Sequence, residues 1–213
     1  MRFATLYDVH GNLAALEAVL QEIPDDAVIV VGGDVCVGGA YPSETLERLR
    51  SLGERVRWLR GNGDRELTPG EVGLGPAADM EATRLALSAE QVGFLYGLQP
   101  SVQIGGVYFC HATPRNDLDI FTERTPEPRA AGLFTDVDAD VVVCGHTHIQ
   151  FERSIGGKRI INSGSVGRPY EDAPGAYWTL DLEPRHTNYA GEQPPRFGRE
   201  DALSLLENRS VRA

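Results

Sequence analysis

The chain has 213 residues, of which 41% are hydrophobic and 24% charged, a composition typical of a globular protein with a sizeable core. No apolar run approaches the roughly 18 residues that a membrane span needs, and the N-terminus lacks the pattern of a signal peptide. We therefore expect a cytoplasmic protein without membrane association. The net charge of −11, with no basic block, argues against duplex nucleic acid as a partner. A small phosphorylated substrate remains compatible with this charge, because bound metal ions reverse the local potential.

The first half of the chain alternates apolar runs with amphipathic segments. The pattern predicts strands over 2–7, 27–31 and 55–60, separated by helices over 13–22 and 43–52. This β-α-β-α-β order favours parallel strands joined by right-handed crossovers.

The middle of the chain changes character at a segment rich in Gly and Pro. Residues 66–78 are predicted to form a surface loop. Helices are predicted over 79–87 and 89–98, and Ser88 with Gln91 forms a capping box at the start of the second.

The second half contains mainly short apolar runs. Two of its turns carry glycine pairs, at 105–106 and 156–157, which favour hairpins. The predicted strands cover 101–104, 107–110, 140–144, 149–155, 158–162 and 176–182. One short helix is predicted near 200–207. Since no repeat and no linker interrupts these elements, we predict a single α/β domain with two sheets over 1–213, and homo-oligomerisation is left open.

The three cysteines, Cys36, Cys110 and Cys144, are an odd number without CxxC spacing. Each lies in or beside an apolar run. We therefore predict small buried hydrophobic residues in a reducing compartment, in preference to a disulfide framework.

Polar side chains follow the predicted strands at the points where the apolar runs end. The five ends read Asp8-Val9-His10, Gly32-Gly33-Asp34, Gly61-Asn62, Cys110-His111 and Gly145-His146-Thr147-His148. Because ligands bind beyond the carboxyl ends of parallel strands, we expect seven oxygen and nitrogen donors at one edge of the sheet. The neighbouring glycines would let the backbone approach closely.

The types of donor indicate which ions they would bind. Two carboxylates, one amide oxygen and four imidazoles suit Mn²⁺, Fe, Zn²⁺ or Ni²⁺ better than Ca²⁺. Seven donors are too many for one tetrahedral ion, but they suit two ions that share a carboxylate. A lone histidine is more often structural than metal-binding. Here four of the five histidines follow strands and only His186 does not, which favours a metal centre.

These motifs resemble the calcineurin-like metallophosphoesterase family. The similar segments are DVHGN at 8–12, GGD at 32–34, GNGD at 61–64, His111 and GHTH at 145–148. The stretches HATPRND at 111–117 and NSGSVGRP at 162–169 are similar to the compact bacterial and archaeal branch of that family. The resemblance implies a four-layer α-β-β-α sandwich of two mixed sheets flanked by helices.

The resemblance also implies two divalent ions, with Mn²⁺ as the first expectation and Fe, Zn²⁺ or Ni²⁺ as the alternatives. One set of three residues would hold the first ion, another set the second, and one carboxylate would bridge them: Asp8, His10 and His148, then Asn62, His111 and His146, and finally Asp34. A hydroxide between the ions would attack phosphorus in line, and the ions would neutralise charge on the phosphate oxygens.

The third motif departs from the family pattern at Gly63, where many members carry a histidine that assists the leaving group. Asp64 is a candidate acid, with a positioning role as the alternative. Arg115 is a candidate for binding phosphate through two hydrogen bonds. The alternative is a surface arginine paired with Asp117 or Glu123.

The leading hypothesis is a metal-dependent phosphoesterase that hydrolyses a phosphomonoester or phosphodiester bond in a small substrate such as a nucleotide. The alternative is a non-catalytic metal-binding scaffold on the same fold. All seven expected ligand positions are intact, which favours the enzyme.

Overall fold

The computed structural model describes residues 2–71, 75–191, 194 and 197–210. The first half contains β1 (Phe3–Leu6), α1 (Leu13–Glu22), β2 (Val28–Val31), α2 (Pro42–Arg50), a 3₁₀ turn (Gly53–Arg55), β3 (Val56–Trp58), α3 (Asn62–Glu66), α4 (Ala77–Ala86) and α5 (Ala89–Tyr96). The second half contains β4 (Ser101–Ile104), β5 (Val107–Cys110), α6 (Glu127–Ala131), β6 (Val141–Cys144), β7 (Gln150–Ile155), β8 (Lys158–Ser163), β9 (Ala176–Leu180), β10 (Glu183–Thr187) and α7 (Arg199–Ser210).

The strands form two mixed sheets of five strands each. The first has the order β10-β9-β1-β2-β3, and the second has the order β4-β5-β6-β8-β7. In the first sheet β1, β2 and β3 are parallel, as the predicted β-α-β-α-β order requires. In the second sheet β5, β6 and β8 are parallel, while β4 and β7 pair antiparallel at the edges. Parallel strands bring their carboxyl ends to one edge of each sheet, where loops converge.

Three apolar clusters separate the layers. The cluster between the sheets includes Tyr7, Val30, Phe109 and Val143, all fully buried. A second cluster packs α1 and α2 against the first sheet, and a third packs α6 and α7 against the second sheet. Helices therefore cover the outer side of both sheets, and the predicted α-β-β-α arrangement is confirmed.

Local turn and cap chemistry agrees with the sequence at several points. Ser88 and Gln91 exchange side-chain to backbone hydrogen bonds of 3.2 and 2.9 Å at the start of α5. Both glycine pairs, at 105–106 and 156–157, have positive φ, as two-residue type I′ hairpins require. The three cysteines are buried and unpaired, as predicted. No described helix is long and apolar enough to cross a bilayer.

Three elements were missed from sequence, namely α3, α6 and β10. The helices α3 and α6 have only five residues each, too few to show a helical period. The sequence of β10, EPRHT, lacks an apolar alternation because four of its five residues are exposed at the sheet edge. Its turn uses Asp181 and Leu182 at positive φ in place of glycine. The predicted loop over 66–78 ends earlier, since α4 begins at Ala77, and residues 72–74 lie outside the described part.

Candidate metal centre

All seven predicted ligands lie at the carboxyl ends of strands on the same edge of the sandwich. Asp8 and His10 follow β1, Asp34 follows β2, Asn62 begins α3 after β3, His111 follows β5, and His146 and His148 follow β6. Six of the seven are buried, and His146 is half-buried.

Two groups of donor atoms converge at this edge, each within 4.8 Å: Asp8 with His10 and His148, and Asp8 with Asp34 and His111. The first group coincides with the first predicted set. Nε2 of His10 lies 3.1 Å from Nε2 of His148. Asp34, a member of the second group, also approaches the first: its Oδ1 lies 3.6 Å from Nε2 of His111 and its Oδ2 lies 4.0 Å from Nε2 of His10. Asp8 belongs to both groups, so the geometry allows either carboxylate to bridge.

The second predicted set is brought together less completely. Asn62 Oδ1 lies 3.1 Å from Nε2 of His111, and the Asn62 amide nitrogen donates to Glu66 Oε1 at 2.9 Å. That bond fixes the amide so that its oxygen faces the centre. His146 lies outside both groups, with its ring centroid 5.1 Å from that of His111.

Hydrogen bonds to the backbone orient three of the imidazoles. Nδ1 lies 2.6 to 2.9 Å from a carbonyl oxygen in each: His10 to Val37, His111 to Gly32, and His148 to Arg168. Because a carbonyl oxygen only accepts, Nδ1 carries the proton in each ring. In the neutral form of each ring the lone pair is then on Nε2, which faces the centre, as in metal-binding histidines.

The backbone is strained where it presents these side chains. Among the described residues seven non-glycine residues have positive φ, and five of them are predicted ligands: Asp8, His10, Asp34, His146 and His148. Such conformations cost about 1–3 kcal/mol each and persist where the surrounding structure enforces them. Backbone strain concentrated at five residues of one site is typical of functional positions.

Glycines allow the strand ends to approach one another. A Cβ on Gly61 would lie 2.2 Å from Asp34 Oδ1, and a Cβ on Gly145 would lie 2.6 Å from Asp8 Oδ2. Gly33, at φ 91°, would place a Cβ 2.3 Å from the Gly61 nitrogen. Only glycine therefore fits at these three positions.

The charges of the centre favour a bound cation. Burial raises the pKa of Asp34, and the charges of Asp8 and Asp64 add to the rise against the opposing effect of His111. Burial also raises the pKa of Asp8, but the imidazoles of His148 and His111 outweigh it and hold the pKa well below its usual range. Oδ1 of Asp8 is buried and accepts no hydrogen bond from the described residues. Divalent cations would satisfy this oxygen and relieve the repulsion among the carboxylates, so the residues fit them.

Two of the histidines are held neutral. Burial, reinforced by the charge of His148, lowers the pKa of His10 to about 3. Burial and the charge of His111 likewise lower the pKa of His146 to about 3. Neutral imidazole is the form that binds metal ions, so both rings are ready to do so at neutral pH.

Asp64 is fully buried, and its oxygens accept three backbone hydrogen bonds. The donors are the amides of Asp34 at 2.8 Å, Val35 at 3.0 Å and Gly61 at 2.9 Å. These bonds tie the loop after β2 to the start of α3. The geometry favours the positioning role of Asp64 over the catalytic acid.

Gly63 lies within α3 and has no positive φ. Its backbone amide donates to Asp34 Oδ1 at 2.7 Å, and a Cβ on Gly63 would lie 3.0 Å from that oxygen. The glycine thus lets the amide reach the predicted bridging carboxylate.

Arg115 pairs with an acidic residue near the surface. Its side chain is 51% exposed, and Nε is 3.7 Å from Asp119 Oδ2. Asp117, one of the partners predicted for it, instead forms two hydrogen bonds of 2.8 and 3.1 Å with Arg65. Arg115 lines a neighbouring cavity of about 280 Å³ that meets the metal centre at His111. The geometry therefore favours the surface alternative, with a different acidic partner.

A second cavity, of about 250 Å³, opens directly over the predicted ligands. Arg168 lines this cavity, and its Nη1 lies 3.5 Å from Asp79 Oδ2. The same residue accepts the His148 hydrogen bond through its carbonyl oxygen. The sequence did not identify Arg168 as a site residue, although it lies in the NSGSVGRP stretch that begins in the last two residues of β8. The position of that stretch at a strand end was the signal that could have revealed it.

Comparisons with known proteins agree with this geometry. Residues 1–185 match the model of the calcineurin-like phosphoesterase superfamily domain. A protein of Methanocaldococcus jannaschii is 29% identical over 194 residues, covering 78% of this chain and 76% of the relative. The crystal structure of a metallophosphoesterase from Sphaerobacter thermophilus superposes with a TM-score of 0.71 at 27% identity, covering 89% of both chains. A protein from Pyrococcus horikoshii has the same fold, with a TM-score of 0.74 at 16% identity over 98% of this chain and 91% of its own. The chain therefore belongs to the calcineurin-like phosphoesterase superfamily.

Proposed function

We propose that this protein is a metal-dependent phosphoesterase that hydrolyses a phosphomonoester or phosphodiester bond in a small substrate such as a nucleotide. The surroundings of Asp8 Oδ1 carry the proposal. This buried oxygen lies 3.4 Å from Nε2 of His148 and 3.9 Å from Nε2 of both His10 and His111. A carboxylate oxygen and the lone pairs of neutral imidazoles are all electron donors. A cation bound between them would stabilise this arrangement. The name of the Sphaerobacter relative, a metallophosphoesterase, supports the same chemistry.

We assign the predicted ligands to two ions: Asp8, His10 and His148 to the first, Asn62, His111 and His146 to the second, and Asp34 to both. When bound, such a pair of ions lowers the pKa of a water nucleophile and neutralises charge on the phosphate. Mn²⁺ is our first choice of metal, followed by Fe, Zn²⁺ and Ni²⁺. The metal identity and the cytoplasmic location stay predictions.

The protein supplies position and charge around the reacting phosphate. The Gly63 amide donates to Asp34 Oδ1 at 2.7 Å and the His146 amide donates to Asp8 Oδ2 at 2.9 Å. Both carboxylates are therefore positioned before substrate binds, so little reorganisation is needed during the reaction. Arg168 lines the cavity over these residues, and its guanidinium offers paired donors to phosphate oxygens. With Gly63 in the third motif and Asp64 bound to backbone amides, we expect the leaving oxygen to depart largely as an anion.

The alternative, a metal-binding scaffold without catalysis, would need the same ligands but no accessible cavity. The cavity over His10, Asp34 and His146 is open to solvent, which favours the enzyme.

The experiment that tests the proposal compares 4-nitrophenyl phosphate with bis(4-nitrophenyl) phosphate after reconstitution with Mn²⁺, Fe²⁺, Zn²⁺ or Mg²⁺. We expect hydrolysis of at least one substrate, loss of activity in His10→Ala, and normal activity in His186→Ala. His186 is the matched control because it is the one histidine outside the centre. Metal binding without hydrolysis of either ester would instead support the scaffold.

A further inference from the structure

The C-terminal helix α7 lies outside the residues that match the family model, which end at 185. Its first turn is anchored by ion pairs. Arg199 Nη1 lies 2.7 Å from both oxygens of Glu171, and Arg124 makes hydrogen bonds of 3.0 and 2.6 Å with Glu200. These contacts fix the start of α7 against the loops that contain Arg124 and Glu171.

The body of α7 packs through a small apolar face. Ala202, Leu203 and Leu206 are buried in the cluster between α7 and the second sheet. Leu205, one position before Leu206, is 43% exposed. Both leucines, together with Arg209 from the last turn, line the cavity over the predicted metal ligands.

The cavity lining therefore combines different chemistries. It includes five of the predicted ligands, here called the floor, and the charged side chains of Glu66, Arg168 and Arg209. It also includes five large apolar or aromatic side chains, here called the apolar wall: Met80, Ile120, Tyr170, Leu205 and Leu206. The wall begins directly beside the floor, because the ring centroid of Tyr170 lies 4.7 Å from that of His148. A group attached to a phosphate held over the floor would meet this wall.

We propose that α7 determines substrate specificity by binding the alcohol portion of the phosphoester, and that it selects alcohols with an apolar or aromatic group next to the phosphate. The proposal rests on the proposed function, since that function places the phosphoryl group over the ligands. Leu205 carries the argument: it is a large apolar side chain that stays exposed inside a cavity, and an apolar ligand would remove it from water. The volume of about 250 Å³ suits a small alcohol.

The test uses phosphonates, which the protein cannot hydrolyse because they have a carbon–phosphorus bond. Calorimetry on the Mn²⁺-loaded full-length protein would compare phenylphosphonate with methylphosphonate. We expect the wild-type protein to bind the phenyl compound about 10-fold more tightly. Leu205→Asn should reduce this preference to about 2-fold or less while leaving the Kd for methylphosphonate nearly unchanged.

Ser204→Asn is the matched control. Ser204 is the neighbouring exposed residue on α7 and does not line the cavity, so the same new side chain there should leave the preference intact. Circular dichroism of both variants checks that α7 still folds, and Leu205→Ala replaces Leu205→Asn if it does not.

An unchanged phenyl preference in the Leu205 variants, or no binding of either phosphonate, would overturn the role of α7. That failure is distinguishable from failure of the proposed function. If the protein prefers phenylphosphonate through Leu205 but hydrolyses no ester, the proposed enzymatic function is wrong and the role of the apolar wall in binding is supported.

Discussion

Two buried polar regions lie three residues apart at the end of β1 and differ in how their hydrogen bonds are satisfied. Thr5 is fully buried between the sheets, and its hydroxyl oxygen lies 2.9 Å from Ser163 Oγ and 2.6 Å from Thr179 Oγ1. Asp8 is equally buried, but its Oδ1 accepts no hydrogen bond from the described residues and its φ is 53°.

The contrast separates polar groups that stabilise the fold from those that serve a ligand. The hydroxyls around Thr5 satisfy one another, so nothing further needs to bind there. Asp34 keeps an unfavourable buried charge, and both Asp8 and Asp34 keep backbone strain that the fold must offset elsewhere. A bound cation would remove much of that cost. A substitution at the metal centre should therefore lower activity and raise the stability of the metal-free protein. A substitution around Thr5 should lower stability and leave activity nearly unchanged.

The largest expected effect is at Asp34. We predict that Asp34→Asn lowers kcat by at least about 10³, because the predicted bridge loses its charge toward both ions. In the metal-free protein the same variant should raise Tm at pH 8. Burial raises the folded-state pKa of Asp34, so the carboxyl costs stability as pH rises through that pKa. A gain of about 2–4 °C corresponds to roughly 1 kcal/mol in a chain of this size.

The Tm gain of Asp34→Asn should vanish below about pH 4, where the carboxyl is protonated in both folded and unfolded states. Asp25→Asn, at an exposed aspartate, is the matched control and should change neither kcat nor Tm. Near-wild-type turnover in Asp34→Asn would contradict the assignment of Asp34 as the ligand that both ions share.

The next effect concerns the leaving group. With Gly63 in the third motif and Asp64 held on three amides, we predict that the rate depends steeply on leaving-group pKa. Nitrophenyl esters should be hydrolysed at least about 10²-fold faster than alkyl esters, which is the size of the rate effect that general-acid assistance usually supplies. Steady-state rates over a series of substituted phenyl and alkyl phosphates measure this. A flat series, in an enzyme limited by chemistry, would show that another acid protonates the leaving oxygen.

A smaller effect is expected from crowding at Gly63. A Cβ there would lie 3.0 Å from Asp34 Oδ1, so Gly63→Ala should displace that carboxylate and lower kcat about 10-fold. Gly93→Ala is the matched control, since Gly93 lies in α5 and its Cβ would meet no atom within 4 Å. Gly63→His should be at least as damaging as Gly63→Ala. Restored turnover of alkyl esters in Gly63→His would contradict the crowding argument.

The smallest effect on activity is predicted in the satisfied region. Thr5→Val should lower the free energy of unfolding by about 1–2 kcal/mol, because Ser163 and Thr179 each lose a buried hydrogen-bond partner. Since the change lies outside the metal centre, kcat should stay within about 2-fold of wild type. Urea denaturation and a nitrophenyl assay on the same preparation give both values. A large loss of kcat with unchanged stability would contradict the claim that the polar groups around Thr5 serve stability and not function.

The strands and the converging donors could be predicted because both depend on local pattern. The apolar runs before Asp8 and Asp34 predicted buried parallel strands, and the run before His111 predicted a hairpin strand. The polar residues that follow these runs were expected to meet at one edge. The short helix α3 and the polar strand β10 were missed because neither shows a hydrophobic period. Their positions are set by tertiary contacts.

The roles of individual polar side chains depended on contacts that are remote in sequence. The three backbone amides that donate hydrogen bonds to Asp64 come from two different loops. Asp117 accepts hydrogen bonds from Arg65 and not from Arg115, the partner expected from the sequence. The local sequence also did not predict that Arg168 and α7 line the cavity, because this depends on where β8 and the C-terminal segment pack.

The metal stoichiometry of the purified protein tests the central claim most directly. Plasma mass spectrometry on protein dialysed against Mn²⁺, with Asp34→Asn measured in parallel, would give the number of ions per chain. We predict two ions per chain in the wild-type protein, fewer in Asp34→Asn, and loss of ester hydrolysis when a chelator removes them. Full hydrolytic activity in protein shown by the same measurement to be free of metal would contradict the two-ion centre.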